Sequence, residues 1–480
     1  MNRLEALFRP RSVAVLGVSR SPEKLGHRLL RNLLDHGFAG ELHPVNPGGE
    51  PILGRPVVRD ARALPTGLDL ALVSLPAEAV VEAVLALGEK GCRVAVVLAS
   101  GFGESGEAGA ALENELRAVA RRTGMRIVGP NCMGVVNPTA RLNGSYFWEV
   151  PFRPGGISFV SQSGAYGGLF FREARERGLG VAKFLSIGNQ ADLTLEEVLG
   201  HLGADPETRA IGLFVEAVGD GRAFVEIARR VTAIKPVIAL KAGRTEAGRR
   251  AAGSHTGALA GVYATYLAAF EAAGVVAARE TEELFDGLAA LAAAGDRLPE
   301  GDAVVILTVS GGPGVVAADC AEASGLRVPQ LPDRVRQALR ADLPPFGADR
   351  NPVDMTPQMD PRRFSIAVLS ALGAPGIAGA IAVDVGLDRP EFAEAVLSGA
   401  RATGKPAVAC AVDVPSVAAA LAEGGVPCFP TPERAVRAYR ALVRYARLRR
   451  RPAPVPPRAR ARPARGLRDP ARARGDRGLA

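Results

Sequence analysis

The chain reads as an α/β protein of three successive domains: a Rossmann-like first domain, then two flavodoxin-like ones. Three observations predict this. Short apolar runs of strand length alternate with helix-period segments along nearly the whole sequence. Glycine-rich turns follow several of those runs directly and open the next helix. The 480 residues exceed what one core holds and suit about three domains.

The first block opens with Ser12-Val13-Ala14-Val15-Leu16-Gly17, a buried strand bounded by glycine. Helical Arg28–Leu34 follows. Further strands are expected at Leu42–Val45, Leu68–Leu75, Val94–Leu98 and Arg126–Val128, with helices over 77–89 and 107–122. This order predicts a parallel, doubly wound sheet with a ligand crevice at its first glycine turn. This first domain is placed at 1–140. Residues 141–154 read as loop, ending in Pro151-Phe152-Arg153-Pro154-Gly155-Gly156. The second domain, 151–298, begins with Ile157–Val160 and has strands expected at Val181–Ile187, Ala210–Val215 and Pro236–Lys241. The third, 300–446, begins with Asp302–Val309 and runs through Gly311-Gly312-Pro313-Gly314 into a helix. Its later strands are expected at Ile377–Val385 and Pro406–Val412.

Composition excludes several classes. Hydrophobic residues make up 48% and charged residues 23%, the balance of a soluble globular protein. No apolar run reaches the length of a membrane span, and no signal-peptide-like stretch follows Met1. Five scattered cysteines without CxxC or metal-ligand spacing are expected to be reduced thiols in a cytoplasmic protein, and no metal site is expected. The formal charge of +9 lies in the tail: from Arg449 onward stand eleven arginines and two aspartates, leaving residues 1–448 neutral. That is not the footprint of a dedicated DNA-binding domain. The tail 449–480 reads as a basic disordered appendage, the only segment where nucleic acid or another acidic partner comes into question.

Three segments carry chemistry. Gly17-Val18-Ser19, with Lys24-Leu25-Gly26-His27, lets backbone approach a ligand and offers helix N–H groups to phosphate; a tight turn without a ligand reads equally. It is an incomplete GxGxxG without an acidic ribose clamp, so an NAD-dependent dehydrogenase is poorly supported. In Ser161-Gln162-Ser163-Gly164-Ala165 a strand runs into a hydroxyl- and glycine-rich turn before a helix. It suits an anion, while Ser163 also fits a simple N-cap. A nucleophile elbow is a poor match there, because the first glycine of GxSxG is missing. In Gly253-Ser254-His255-Thr256-Gly257 the glycines on both sides point to a histidine on an exposed loop rather than a packed one. Imidazole accepts a phosphoryl group well when a carboxylate fixes its tautomer. Glu216, ending the strand Ala210–Val215, is either such an orienting base or a salt-bridge partner.

These segments, in this order, resemble the α subunit of ADP-forming acetyl-CoA synthetases, relatives of the succinyl-CoA synthetase α subunit. The resemblance covers about residues 4–446. It also rests on Pro44-Val45-Asn46-Pro47, Gly129-Pro130-Asn131-Cys132-Met133-Gly134 and Gly188-Asn189-Gln190-Ala191-Asp192. It implies coenzyme A on the first domain, with Gly17, Ser19 and Lys24 near the phosphates and Val73, Ser74 and Pro76 near the adenine. Ser100, Gly101, Phe102 and Asn131 would line the thiol side. It implies phosphate at Ser161, Gln162, Ser163 and Gly164, phosphorylation of His255 on a swinging loop, and Glu216 positioning it. Asn351-Pro352-Val353-Asp354 and Thr431-Pro432-Glu433-Arg434-Ala435 match the additional domain of the ADP-forming branch.

Two departures stand out. The family commonly has a lysine after Pro44–Pro47, where Gly48-Gly49 stands here. No ATP-grasp domain follows residue 446, so ATP/ADP and Mg²⁺ are expected on a separate ATP-grasp β subunit, in an α2β2 or similar assembly. The activity implied is the reversible formation of acyl-CoA, ADP and phosphate from acid, CoA and ATP. A CoA- or acyl-CoA-sensing regulatory protein that lost turnover is the alternative.

Overall fold

The computed structural model describes residues 3–256 and 262–451, with backbone only for 252–256. Three sheets form, one for each predicted block, except that Gly134–Asn137, expected in the first block, pairs into the second sheet. In the first, β1 (Ser12–Leu16), β2 (Glu41–Val45), β3 (Leu70–Val73), β4 (Val94–Val97) and β5 (Arg126–Val128) are all parallel, in the order β2-β1-β3-β4-β5. Ala14, Val73 and Val97 face one helical layer and Val15, Leu72 and Val96 the other, which is why these strands read as continuous apolar runs. The chain leaves β1 for β2 on one side and returns to β3 on the other. This reversal opens a crevice at the strands' carboxyl ends.

The second sheet has seven strands: β6 (Gly134–Asn137), β7 (Leu142–Ser145), β8 (Pro154–Ser161), β9 (Val181–Ser186), β10 (Ala210–Val215), β11 (Val237–Lys241) and β12 (Val276–Ala278). Their order is β12-β11-β10-β8-β9-β6-β7, with β6 and β7 antiparallel. The expected loop from 141 therefore begins with a strand. Leu142-Asn143-Gly144-Ser145 looks polar, but Asn143 and Ser145 are wholly buried and bond to each other, Ser145 Oγ donating to Asn143 Oδ1 at 2.6 Å. Asn32 Nδ2 then ties this edge to the first block by donating to the carbonyls of Ser145 and Phe147.

The third sheet is parallel throughout: β13 (Val305–Thr308), β14 (Val353–Asp354), β15 (Ala380–Val385), β16 (Ala407–Val412) and β17 (Cys428–Phe429), ordered β14-β13-β15-β16-β17. Asn351 fixes its edge, accepting from the Ile306 amide and donating to the Val304 carbonyl. The helix Pro432–Arg450 leaves this block and crosses the helix Thr281–Ala294 of the second. Arg434 and Arg177 both bind Asp286, whose side chain is 1% exposed. Tyr445 Oη donates to the Thr232 carbonyl at 2.9 Å. The helix continues through Arg450, which donates to the carbonyls of Pro299 and Glu300, so ordered structure runs slightly past the expected start of the tail. Tail residues 452–480 lie outside the described residues.

Candidate functional site

Gly17 ends β1 with φ +83, and a Cβ there would collide with the Ser74 carbonyl oxygen. Gly26, in the first turn of the helix Leu25–Asp35, sits as tightly on the Gly17 carbonyl. The two glycines let β1, the end of β3 and a helix N-terminus converge at the crevice. The His27 amide turns back to the Lys24 carbonyl at 3.0 Å, while the Leu25 and Gly26 amides precede the first bond of the helix, whose dipole favours an anion in front of them. Lys24 occupies its N-cap, exposed and without a side-chain capping bond. Ser19 shapes the loop instead: its Oγ accepts from the Ser21 amide and its carbonyl pairs with His27 Nδ1 at 2.7 Å. Pro76 caps the helix Ala77–Glu89, and Ser74 Oγ accepts from Tyr146 Oη at 2.9 Å. Tyr146, missed by sequence reasoning, thus joins the crevice to the second sheet. Val73 is wholly buried, so its side chain meets the core and not a ligand.

The expected thiol side lies where the first and second blocks meet. Gly101 has φ +103, and Glu104 accepts from the Gly101 and Phe102 amides at 2.7 and 3.2 Å. Phe102, expected to line this side, points into the core with no exposure. Ser100 remains exposed. Asn131 has φ +56 and donates to Asn189 Oδ1, and Asn189 Nδ2 in turn donates to Glu104 and Glu113. Burial by itself raises the Glu104 carboxyl; the Asn189 and backbone hydrogen bonds outweigh it and hold the group below its ordinary value. Asn189 is therefore a bracket between the blocks, legible in sequence only as part of a motif.

The third cluster is the turn after β8. Ser163 is the N-cap of the helix Gly164–Glu176, extended in backbone, and its side chain makes no capping bond. Gly164 is packed so that a Cβ would lie 2.5 Å from Met133 Cγ. Ser161 and Gln162, expected to touch phosphate, are otherwise engaged. Ser161 is fully buried and its Oγ donates to the Ser163 carbonyl at 2.6 Å. Gln162 Oε1 accepts from the Glu216 and Ala217 amides, and its Nε2 donates to the Ala217 carbonyl at 2.7 Å. These two side chains shape the turn. The Ser163 side chain makes no capping bond, and a helix N-terminus of this kind favours an anion.

Glu216 follows β10 and lines a cavity of about 640 Å³ together with Asn131, Gln162, Asn189 and Glu196. Lys241 lies on the neighbouring strand, 4.5 Å over the Tyr266 ring. Burial lowers its pKa, and the charge of Glu216 opposes that shift. The backbone of His255 falls in the last turn of the helix Glu246–Thr256, so the expected loop begins as helix; its side chain lies outside the described residues. Among the described residues no group of three His, Cys, Asp or Glu is placed to hold a metal ion. No described helix is long and apolar enough to cross a membrane.

Three family profiles match in succession: a CoA binding domain over residues 11–138, a succinyl-CoA ligase like flavodoxin domain over 154–291, and a ligase-CoA domain over 304–451. The chain is 38% identical over 455 residues to the α subunit of ADP-forming acetate–CoA ligase II of Pyrococcus furiosus, covering 92% of this chain and 98% of that one. Identity to the α subunit of ligase I from the same organism is 39%, with the same coverage. Among solved structures it resembles the dinucleotide-forming acetyl-coenzyme A synthetase 1 of Ca. Korarchaeum cryptofilum in complex with phosphate and ADP. There the TM-score is 0.84 at 35% identity, over 94% of this chain and 98% of that chain.

Proposed function

The chain belongs to the family of ADP-forming acetate–CoA ligase α subunits, and from that premise we propose that it is the CoA-binding, phosphohistidine-carrying subunit of a reversible ADP-forming acyl-CoA synthetase. The observation that supports this best is the cavity shared by Glu216, Gln162 and Asn131. It brings the expected histidine-positioning carboxylate, the anion turn and the thiol side to one place.

In the acyl-CoA-consuming direction, CoA lies along the first sheet, with its phosphates at Gly17, Ser19 and Lys24 and its adenine by Ser74 and Pro76. Its thioester passes Ser100, Gly101 and Asn131. Inorganic phosphate sits before the helix Gly164–Glu176, its charge met by amides and by Ser163. A phosphate oxygen attacks the thioester carbonyl, and the thiolate leaves to take a proton as free CoA. One nitrogen of His255 then attacks phosphorus, the P–O bond to the acyl group breaks, and the carboxylate departs. Glu216 holds the other nitrogen and stabilises the charge that develops on the ring. His255 hands the phosphoryl group to ADP on an ATP-grasp β subunit, where Mg²⁺ belongs, in an α2β2 or similar assembly. A covalent carrier is what two separate binding sites need in order to share one phosphoryl group. The working domain limits are 1–140, 151–298 and 300–446, and the compartment is the cytoplasm.

One experiment tests the scheme. The full chain, given acetyl-CoA and radiolabelled phosphate, and separately its ATP-grasp subunit with Mg²⁺-ATP, should acquire an acid-labile, base-stable label at His255. Acyl-CoA formation at full rate without any such label rules the relay out.

A further inference from the structure

The rim of the first crevice carries a cation that the scheme above does not use. After β2 the chain makes the turn Asn46-Pro47-Gly48-Gly49, tied to the loop that follows β1 by Asn46 Nδ2 donating to the Val18 carbonyl at 2.7 Å. Asn46 N donates to the Val58 carbonyl, which brings residue 59 back beside this turn. The Arg59 side chain then lies over Gly49: a Cβ on that glycine would be 2.5 Å from Arg59 Nε and 2.9 Å from Cγ. Gly49 has φ +70, so the position disfavours a side chain on two counts.

The neighbouring charges are spent. Arg20 pairs with Glu50, and Asp60 with Arg62. Among the described residues Arg59 faces no carboxylate at ion-pair distance, and it is exposed. In dinucleotide-binding βαβ units, where the second strand lies beside the first as it does here, the segment after that strand reads the adenosine ribose. An acidic group there accepts from a free hydroxyl, and an arginine accommodates a phosphate on it. This turn offers no free acid and one free guanidinium, whose planar fork matches a phosphomonoester.

We propose that Arg59 binds the phosphate on the adenosine ribose of the ligand, the 3′-phosphate of CoA, and so separates CoA from its dephosphorylated form. This rests on the CoA reading given above. Other adenosine-ribose phosphates share the chemistry, so the test includes one.

The test is calorimetric titration of the full chain with CoA, 3′-dephospho-CoA and NADP⁺, repeated with Arg59→Gln and Arg59→Lys. A charge-assisted contact of this kind is worth about tenfold or more in affinity. The wild type should prefer CoA to dephospho-CoA by about that factor, more at low salt. Arg59→Gln should bring the ratio near one, and Arg59→Lys should restore part of it. A wild-type ratio near one, or a ratio that Arg59→Gln leaves unmoved while CoA still binds, overturns the assignment of Arg59 alone. A chain that binds NADP⁺ but not CoA, or neither, overturns the CoA reading itself.

Discussion

Gln162 grips the backbone of Glu216: its carboxamide oxygen accepts from the Glu216 and Ala217 amides, and its nitrogen donates to the Ala217 carbonyl. The anion turn and the carboxylate expected to steer the histidine are therefore held in one register by a single side chain. Gln162→Leu should leave two amides without an acceptor, a cost of about 1–3 kcal/mol each if they stay buried. Labelling of His255 should slow at least tenfold, with a much smaller change in CoA affinity and a lower urea midpoint. Loss of CoA binding in step with labelling would place Gln162 in the CoA site instead.

His255→Ala should abolish the label and turnover. Glu216→Gln keeps the shape of the carboxylate and removes its charge, so it should slow label formation by roughly 10²–10³ while titration calorimetry still shows CoA binding. Rapid-quench measurement of the labelled chain separates the two variants. A Glu216→Gln chain labelled at the wild-type rate would free Glu216 of the positioning role.

Gly17→Ala drives a methyl group into the Ser74 carbonyl and forces an L-residue to φ +83. The far-UV spectrum should persist, because the other two sheets do not depend on this turn. CoA titration should show at least a hundredfold loss, and unchanged affinity would move the phosphates away from the crevice.

Acid should loosen the join between the N-terminal helix and the second sheet. Lys183 is buried and binds Asp205 at 2.6 Å and Glu207 at 2.8 Å, and Arg9 also reaches Glu207. Burial raises both carboxyls, but the Lys183 hydrogen bond and charge outweigh it and hold both below their ordinary values. A lowered carboxyl binds fewer protons folded than unfolded, so its stabilisation is present above the ordinary carboxyl range, near 4, and fades as pH falls through the lower folded value. Urea midpoints between pH 6 and 3 should fall more steeply for the wild type than for Asp205→Asn. Parallel slopes would remove Asp205 from the account.

A chain ending after Arg451 should keep CoA affinity and His255 labelling within about twofold. The segment beyond holds few apolar residues with which to build a core. The cut must spare Arg450, which anchors the last helix to Pro299 and Glu300. A truncated chain that no longer labels would place the tail on the site or on its partner.

The sequence disclosed most where local rules and burial agree. Strands such as Ser12–Leu16, buried on both faces and closed by Gly17, could hardly be anything else. Leu142–Ser145 escaped because its polar residues are buried partners of each other, and a linear pattern does not show pairing. Among the residues expected at the site, Gly17 turns the chain at φ +83 and Ser163 is a helix N-cap, local features that a sequence can signal. Phe102 and Val73 fall inside the motifs singled out but turn inward, since a motif specifies a stretch of backbone and not the face each side chain takes. The roles of Gln162, Asn189 and Tyr146 depend on contacts 54 to 85 residues away in the chain. No local reading reaches those.

The last helix carries a consequence for synthesis. Pro432–Arg450 covers the face of Thr281–Ala294 and neutralises one side of Asp286, yet it is translated about 150 residues after the helix it covers. At roughly 5–20 residues per second, the nascent second sheet waits about 8 to 30 s with that face bare. A ribosome stalled between the two helices would present it to a chaperone. Shifting synonymous codons to slow translation between residues 300 and 430 should therefore lower the yield of folded chain, even though not one amino acid has changed.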